Sequence, residues 1–247
     1  MPRFFMDTPL HSGDTVTLPA EVAQHARVLR LQPGDTITLF NGTGGGAWQA
    51  DIVAMEKREI RVQVGAFLHA EAEPPYRLTL AQGIAGNNRM DWLIEKAVEL
   101  GASRIAPLTT TRSVVQLASE RAAKRQMHWQ RIVQAACEQC GRNRLPEIAP
   151  VQDFRAWLDA MPEAPAGDDL WILLSPCAGT AFDTLPHTPP KGEIIVLIGP
   201  EGGLVDEEIV SACDRGFIAI GLGPRVLRTE TAGIAMLAAL AARWGGW

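Results

Sequence analysis

The sequence predicts two folded units, a small β-rich domain over residues 1–73 and an α/β domain over residues 76–247 built on a mainly parallel sheet. Three observations carry this. Short apolar runs separated by turn residues crowd the first span, with little helical periodicity between them, as in a small barrel. Beyond the linker Glu71-Ala-Glu-Pro-Pro75, which its two prolines stiffen, strand-length apolar runs alternate with amphipathic helical stretches, the pattern of a parallel sheet with crossover helices. Several of those runs spill into Gly/Pro loops, and open α/β sheets bind small molecules at the carboxyl ends of their strands.

In the first unit, residues 16–18 read as a short strand, and Pro19 is pre-set for the first turn of a brief helix with Val22, Ala26 and Leu29 on one face. Pro33-Gly-Asp35 turns the chain into an alternating strand over 36–40. Asn41-Gly-Thr-Gly-Gly-Gly46 is followed by another strand, 47–53, and not by a helix, so it is a hairpin turn and no phosphate loop. A further strand covers 60–64.

The second unit opens with a strand over 76–82 and a loop in which Asn87 or Asn88 caps a helix over 89–100. Met90, Leu93, Ile94, Ala97 and Val98 give that helix its apolar face, and Gly101 stops it. A strand over 104–108 and a Thr-rich loop ending at Arg112 follow, then a long helix from a Ser119 cap to Cys140, with Trp129, Ile132, Val133 and Ala136 on one side. A short helix over 154–158 and the buried strand 170–174 come next, the strand breaking at Ser175-Pro176.

The most informative stretch is the last. Residues 194–198 are an unbroken apolar run with the length and β-branched content of a fully buried strand. It ends in Gly199-Pro-Glu-Gly-Gly203, where small residues let a ligand lie against the backbone. Residues 216–221 repeat the plan, leading through Leu222-Gly-Pro-Arg-Val-Leu-Arg-Thr-Glu-Thr-Ala232 into a helix running to about Arg243.

Composition narrows the function classes. At 247 residues and 47% apolar, the chain can bury two cores. No apolar run has the length of a membrane span, Met1-Pro-Arg-Phe-Phe-Met-Asp7 lacks the apolar core of a signal peptide, and the four cysteines form no paired framework. A reducing cytoplasm is therefore expected. Cys137 and Cys140 sit within a helix and lack a second ligand pair, so no metal is expected. The net charge is −5, but residues 103–145 carry eight Lys/Arg against two acids, whereas 146–216 carry three against thirteen. The basic segment is either a phosphate-facing surface or an idle solvated face. No Gly-x-Gly-x-x-Gly loop and no Walker lysine occurs, which argues against a Rossmann dehydrogenase and a phosphate-cradling NTPase.

The two loop motifs together resemble the signature of the RsmE family, methyltransferases of the SPOUT superfamily that modify N3 of a uridine in 16S ribosomal RNA. The rest of the chain fits that family's layout from end to end. One position departs: Val205 stands where the family usually carries a Ser or Thr cap, so Asp206 is expected to cap the following helix, one residue later. The resemblance implies a PUA-like RNA-binding barrel, a SPOUT-type α/β trefoil-knot domain, S-adenosylmethionine as cofactor, 16S ribosomal RNA in the 30S subunit as partner, and a homodimer. An apolar last helix (Ile234, Leu237, Leu240, Trp244) with more oily surface than one small sheet covers supports the dimer.

Carried onto this chain, the cofactor would lie against Leu174, Ser175, Ile198, Gly199, Pro200, Glu201, Gly203, Leu222, Gly223, Leu227, Arg228, Thr229, Thr231 and Ala232. Uridine N3 bears a proton. Glu230 is the candidate acceptor, with Arg228 favouring the developing anion or gripping phosphate. Glu230 reads equally well as a first-turn helix cap, and Glu201 is expected to shape its loop rather than take a proton. Because N3 lies on the Watson–Crick edge, the base must be unpaired or flipped out. Arg3, Arg27, Arg30, Arg112, Arg121, Lys124, Arg125 and Arg142 are the residues placed against RNA. Ribose 2′-O methylation, or a non-catalytic ribosome-assembly factor that binds RNA, remain the alternatives.

Overall fold

The computed structural model describes residues 1–57, 59–86, 88–113 and 119–247, the Ser119 side chain excepted. Two compact units emerge: Met1–Glu73 with Gln134–Leu145, and Pro74–Val133 with Pro146–Trp247. Residues 134–145 thus fall in the first unit, although the sequence reading runs the second without a break from 76.

The first unit is a five-stranded sheet in the order β1-β3-β4-β5-β2, formed by β1 (Arg3–Phe5), β2 (Thr15–Thr17), β3 (Thr36–Phe40), β4 (Ala47–Met55) and β5 (Ile60–Leu68), with helix α1 (Ala20–Val28) after β2. β3, β4 and β5 form an antiparallel meander. In the β3–β4 turn Gly42, Gly44 and Gly45 all take positive φ, so the run of glycines serves backbone geometry. Alternation along the strands sends Ile37, Leu39, Ile52, Ile60 and Val62 into one core with Phe4 and with Val22, Ala23 and Ala26 of α1. β1 pairs parallel with β3. At three residues it is too short for periodicity to reveal.

The second unit is a sheet of parallel pairs in the order β11-β13-β10-β12-β6-β7-β8, with β9 also on β7. Its strands are β6 (Leu78–Gly83), β7 (Arg104–Thr109), β8 (Glu147–Ile148), β9 (Gln152–Asp153), β10 (Leu170–Leu174), β11 (Thr180–Ala181), β12 (Ile194–Ile198) and β13 (Ile218–Gly221). Its helices are α2 (Arg89–Glu99), α3 (Ser119–Cys140, whose last turns belong to the first unit), α4 (Phe154–Asp159), α5 (Asp206–Asp214) and α6 (Thr229–Trp244). The alternation of strand side chains splits the core in two layers. Leu173, Ile195 and Leu197 pack with Phe154 and Trp157 of α4 and Ala212 of α5. On the other face, Ile198 and Gln82 lie under Gly233 of α6, beside Leu93 of α2. The inner strands β6, β10 and β12 are buried nearly throughout, which is why they read as continuous apolar runs.

Three expectations about helices change. α5 begins at Asp206 itself, and Glu208, not Asp206, does the capping by accepting from Val205 N at 3.0 Å. Asn88 stands at the N-cap of α2 without a side-chain capping bond; its alternative Asn87, and the Ser119 hydroxyl expected to cap α3, lie outside the described residues and side chains. Leu237, Leu240 and Trp244 of α6 are buried within the chain, and Ile234 is half-buried, so they do not leave the apolar surface expected of them.

Candidate active site

The carboxyl ends of β10, β12 and β13 open into one cavity of about 650 Å³. The loop after β10 brings Ser175. The loop after β12 brings the backbone of Gly199 to Gly203. The segment after β13 brings Leu222, Gly223, Leu227 and Arg228, and the first turns of α6 add Thr229 and Ala232. Leu174, Ile198, Ile220, Leu222 and Leu227 give the cavity its apolar wall. All the residues expected at the cofactor line it except Thr231, which is exposed and lines a neighbouring cavity with Asn88, Arg89, Trp92, Arg228 and Glu230.

Buried hydrogen bonds fix the two signature loops to each other. Thr229 Oγ1 donates to Gly199 O at 2.6 Å and accepts from Gln82 Nε2 at 2.8 Å. Gln82 is fully buried at the end of β6, and its Nε2 also donates to Gly83 O at 2.8 Å. The approach is close: a Cβ on Gly199 would sit 2.7 Å from Leu204 N, and one on Gly83 2.5 Å from Pro200 N. Gly203 is different, with φ +71° and nothing among the described residues within 4 Å of its Cβ position. There the glycine serves a left-handed backbone beside open space.

Charge converges at the rim. Glu201 Oε1 accepts from Gly86 N at 2.8 Å and from Arg89 at 2.9 Å. Burial alone would raise the Glu201 carboxyl, but the backbone amides of Glu201 and Gly86, together with Arg89, outweigh it and hold the group below its ordinary range. Arg89 also lies 3.8 Å from Glu230 Oε1. Glu230 is 8% exposed, and its Oε2 is buried with no hydrogen-bond partner among the described residues. The N-cap of α6 is Arg228, without a side-chain capping bond. Glu230 sits in the first turn, but its Oε2 holds no amide. Gln82 and Arg89 escape the sequence reading. The available signal for Gln82 was a polar side chain ending an otherwise buried strand at the sheet's carboxyl edge.

The residues placed against RNA separate into two groups. Arg121, Lys124 and Arg125 are exposed on α3, Lys124 pairing with Glu120 at 2.9 Å, and Arg30 is exposed at φ 58° in the first unit. The others are engaged within the protein. Arg142 is 3% exposed and forms a bidentate pair with Glu73, its Nε at 2.9 Å. A guanidinium so enclosed is a structural cation, which corrects its placement against phosphate. Arg3 is half-buried, donating to Asn143 Oδ1 at 2.7 Å and lying over the Phe40 ring. Arg27 donates to Glu56 O at 2.8 Å. Arg112 lines the cavity and donates to Gly202 O at 3.0 Å, so it supports the signature loop. The Cys137 thiol donates to Arg144 O, and burial pushes it up to about 12.

Comparison with known proteins places the chain in a family. The RNA methyltransferase domain family matches residues 72–241, and the RNA methyltransferase PUA domain family matches residues 18–65. The ribosomal RNA small subunit methyltransferase E of Buchnera aphidicola (Schizaphis graminum) is 32% identical, over 99% of this chain and 97% of that protein. The Bacillus subtilis protein of the same name is 29% identical, over 97% and 96%. Among solved structures, the Neisseria gonorrhoeae ribosomal RNA small subunit methyltransferase E bound to S-adenosyl methionine aligns at TM-score 0.90 and 38% identity, covering 99% of this chain and 98% of that one. A Legionella pneumophila putative methyltransferase in complex with the same cofactor aligns at 0.89 and 36%, covering 97% and 96%. The sheet of the second unit thus has the SPOUT-type α/β class and the first unit the PUA-like class. The chain belongs to the RNA methyltransferase family of the ribosomal RNA small subunit methyltransferase E proteins, with its PUA domain at the amino-terminal side.

Proposed function

We propose that this protein transfers a methyl group from S-adenosylmethionine to N3 of a uridine in 16S ribosomal RNA of the small subunit. Two relatives that share 36% and 38% of the sequence hold this cofactor, and the residues of this chain fit it. The apolar wall of Leu174, Ile198, Leu222 and Leu227 suits an adenine, and the side-chain-poor loops at Gly199, Gly203 and Gly223 leave backbone groups for the base edge and ribose. When bound, the cofactor supplies a methyl carbon on a sulfonium, a leaving group that needs no acid.

The protein's own residues then have two tasks. Alignment is the larger, worth up to roughly 7–11 kcal/mol where donor and acceptor are held in line. Gln82 and Thr229 serve it by fixing the two loops to each other. The second task is the N3 proton, which Glu230 accepts while Arg228 favours the resulting anion. The observation that carries this reading is the buried Oε2 of Glu230 on α6, without a partner among the described residues, on the residue that follows Thr229 of the cofactor cavity. A buried carboxylate oxygen without a donor is costly in a resting structure.

The same reading includes a trefoil-knotted passage of the segment through residue 232, a cytoplasmic location and a homodimer through the second unit. Val226, 80% exposed on the cavity's own loop, is apolar surface that a second copy would cover. Incubation with S-adenosylmethionine and small subunits from cells lacking the gene tests the function. A methylated uridine base supports it; a ribose methyl, or no methyl at all, overturns it.

A further inference from the structure

Arg89 and Arg228 each line two cavities. One is the cofactor cavity. The other, of about 920 Å³, is bounded by Asn88, Trp92, Glu230 and Thr231 besides the two arginines. We propose that this second cavity receives the acceptor base, that Trp92 is its stacking platform, and that Glu230 selects uracil over cytosine. The assignment rests on the methyl-transfer reading above.

The chemistry of each wall points the same way. Trp92 lies on α2 and is 45% exposed, although the neighbouring apolar residues Leu93 and Ile94 of the same helix are fully buried. A large ring held half in solvent at a cavity edge offers a face to a flat ligand, and stacking on a base is sequence-tolerant because every base has such a face. Selection must therefore come from the base edge. Uracil presents a carbonyl, an N–H and a second carbonyl along that edge. The N–H matches the unpartnered Oε2 of Glu230. The carbonyls need donors, which the Arg228 guanidinium and the Asn88 amide supply, Asn88 being unused as a cap. Cytosine presents a lone pair at N3, which the same carboxylate repels.

The reaction step follows from this placement. The N3–H bond breaks, an O–H bond forms on Glu230, and the nitrogen keeps the electron pair that bonds the methyl carbon. The carbon–sulfur pair leaves with sulfur, and the protonated carboxyl returns its proton to water. The charges close: a sulfonium and a carboxylate become a neutral thioether and a neutral acid.

The test uses the full chain, small subunits, and two single-stranded probes, an oligoadenylate carrying one uridine and the same oligomer carrying one cytidine. Trp92→Ala is expected to raise KM for the subunit roughly ten- to hundredfold, with calorimetric affinity for S-adenosylmethionine unchanged and Trp92→Phe recovering part of the loss. Uridine-probe quenching of tryptophan fluorescence is expected to shrink in Trp92→Phe. The wild type should prefer the uridine probe, and Glu230→Gln, whose amide accepts and donates, should lose that preference. A merely structural Glu230 would weaken both probes equally. An unchanged KM in Trp92→Ala, or a wild type that binds both probes alike, overturns the proposal. Subunits left unmethylated by a wild type that still binds uridine through Trp92 would overturn the methylation reading and leave the base pocket supported.

Discussion

Replacing Gly203 by valine separates the fold of the signature loop from its use. Gly203 has φ +71°, and a Cβ there meets no atom of the described residues within 4 Å. The cost to the fold is therefore backbone strain, roughly 1–2 kcal/mol for an L-residue in the left-handed region and more for a β-branched one. For a chain of this size that shifts the thermal midpoint by about 2–4 °C per kcal/mol. The cost to ligand binding is larger, because the added methyls project from a residue lining the 650 Å³ cavity. An affinity loss of about a hundredfold or more, ~2.7 kcal/mol, is expected by calorimetry with S-adenosylmethionine. Gly199→Ala is the contrast. Its Cβ would lie 2.7 Å from Leu204 N and 2.8 Å from the Gly203 carbonyl carbon, so the loop must move. Wild-type affinity in Gly203→Val at a lowered midpoint would refute the placement of the cofactor against this loop.

Other predictions follow from named contacts. Gln82→Leu removes the donor to Thr229 and should cost about 1–3 kcal/mol of stability, measured by denaturant unfolding, together with cofactor affinity. Because the Glu201 carboxyl is held below its ordinary value of 4.5, its stabilisation is present above that value and is lost as pH falls through the lowered one. Thermal midpoints recorded downward from pH 6 should therefore fall less steeply in Glu201→Gln than in wild type. Arg142→Ala strands Glu73 and should destabilise the first unit by about 3–5 kcal/mol, a loss visible in unfolding without RNA. Reversing Arg121, Lys124 and Arg125 to Glu should weaken RNA binding and flatten its salt dependence while leaving cofactor affinity alone; an unchanged salt slope removes α3 from the RNA surface. Light scattering at micromolar concentration should give the mass of a dimer.

What the sequence showed depended on how local the cause was. Residues 170–174 and 194–198 are legible as strands because burial on both faces demands an unbroken apolar run. The signature loops are legible because close approach and positive φ demand glycine. β1, β8, β9 and β11 were not, since two or three residues become a strand only through a partner supplied elsewhere. The helical periodicity of α3 shows a helix but cannot show that its last turns pack with the first unit. The charge count misled at Arg142, and Arg3 was misplaced in the same way, because a guanidinium looks the same in sequence whether it faces solvent or a partner within the fold. Gln82 and Arg89 went unnoticed for a related reason. Their roles are set by partners 147 and 112 residues away. Val205 and the helix after it show the converse: the cap lost at one position is met by Glu208 three residues on.

The central claim is a methyl group placed on the base of one uridine in small-subunit RNA. Mass mapping of 16S ribosomal RNA after reaction of the purified protein with S-adenosylmethionine and unmodified small subunits tests it most directly. The expected result is one nucleotide heavier by a methyl on the uracil ring, absent with Glu230→Gln after the same time. A methyl on the ribose, or a Glu230→Gln protein that modifies the base at the wild-type rate, would contradict it.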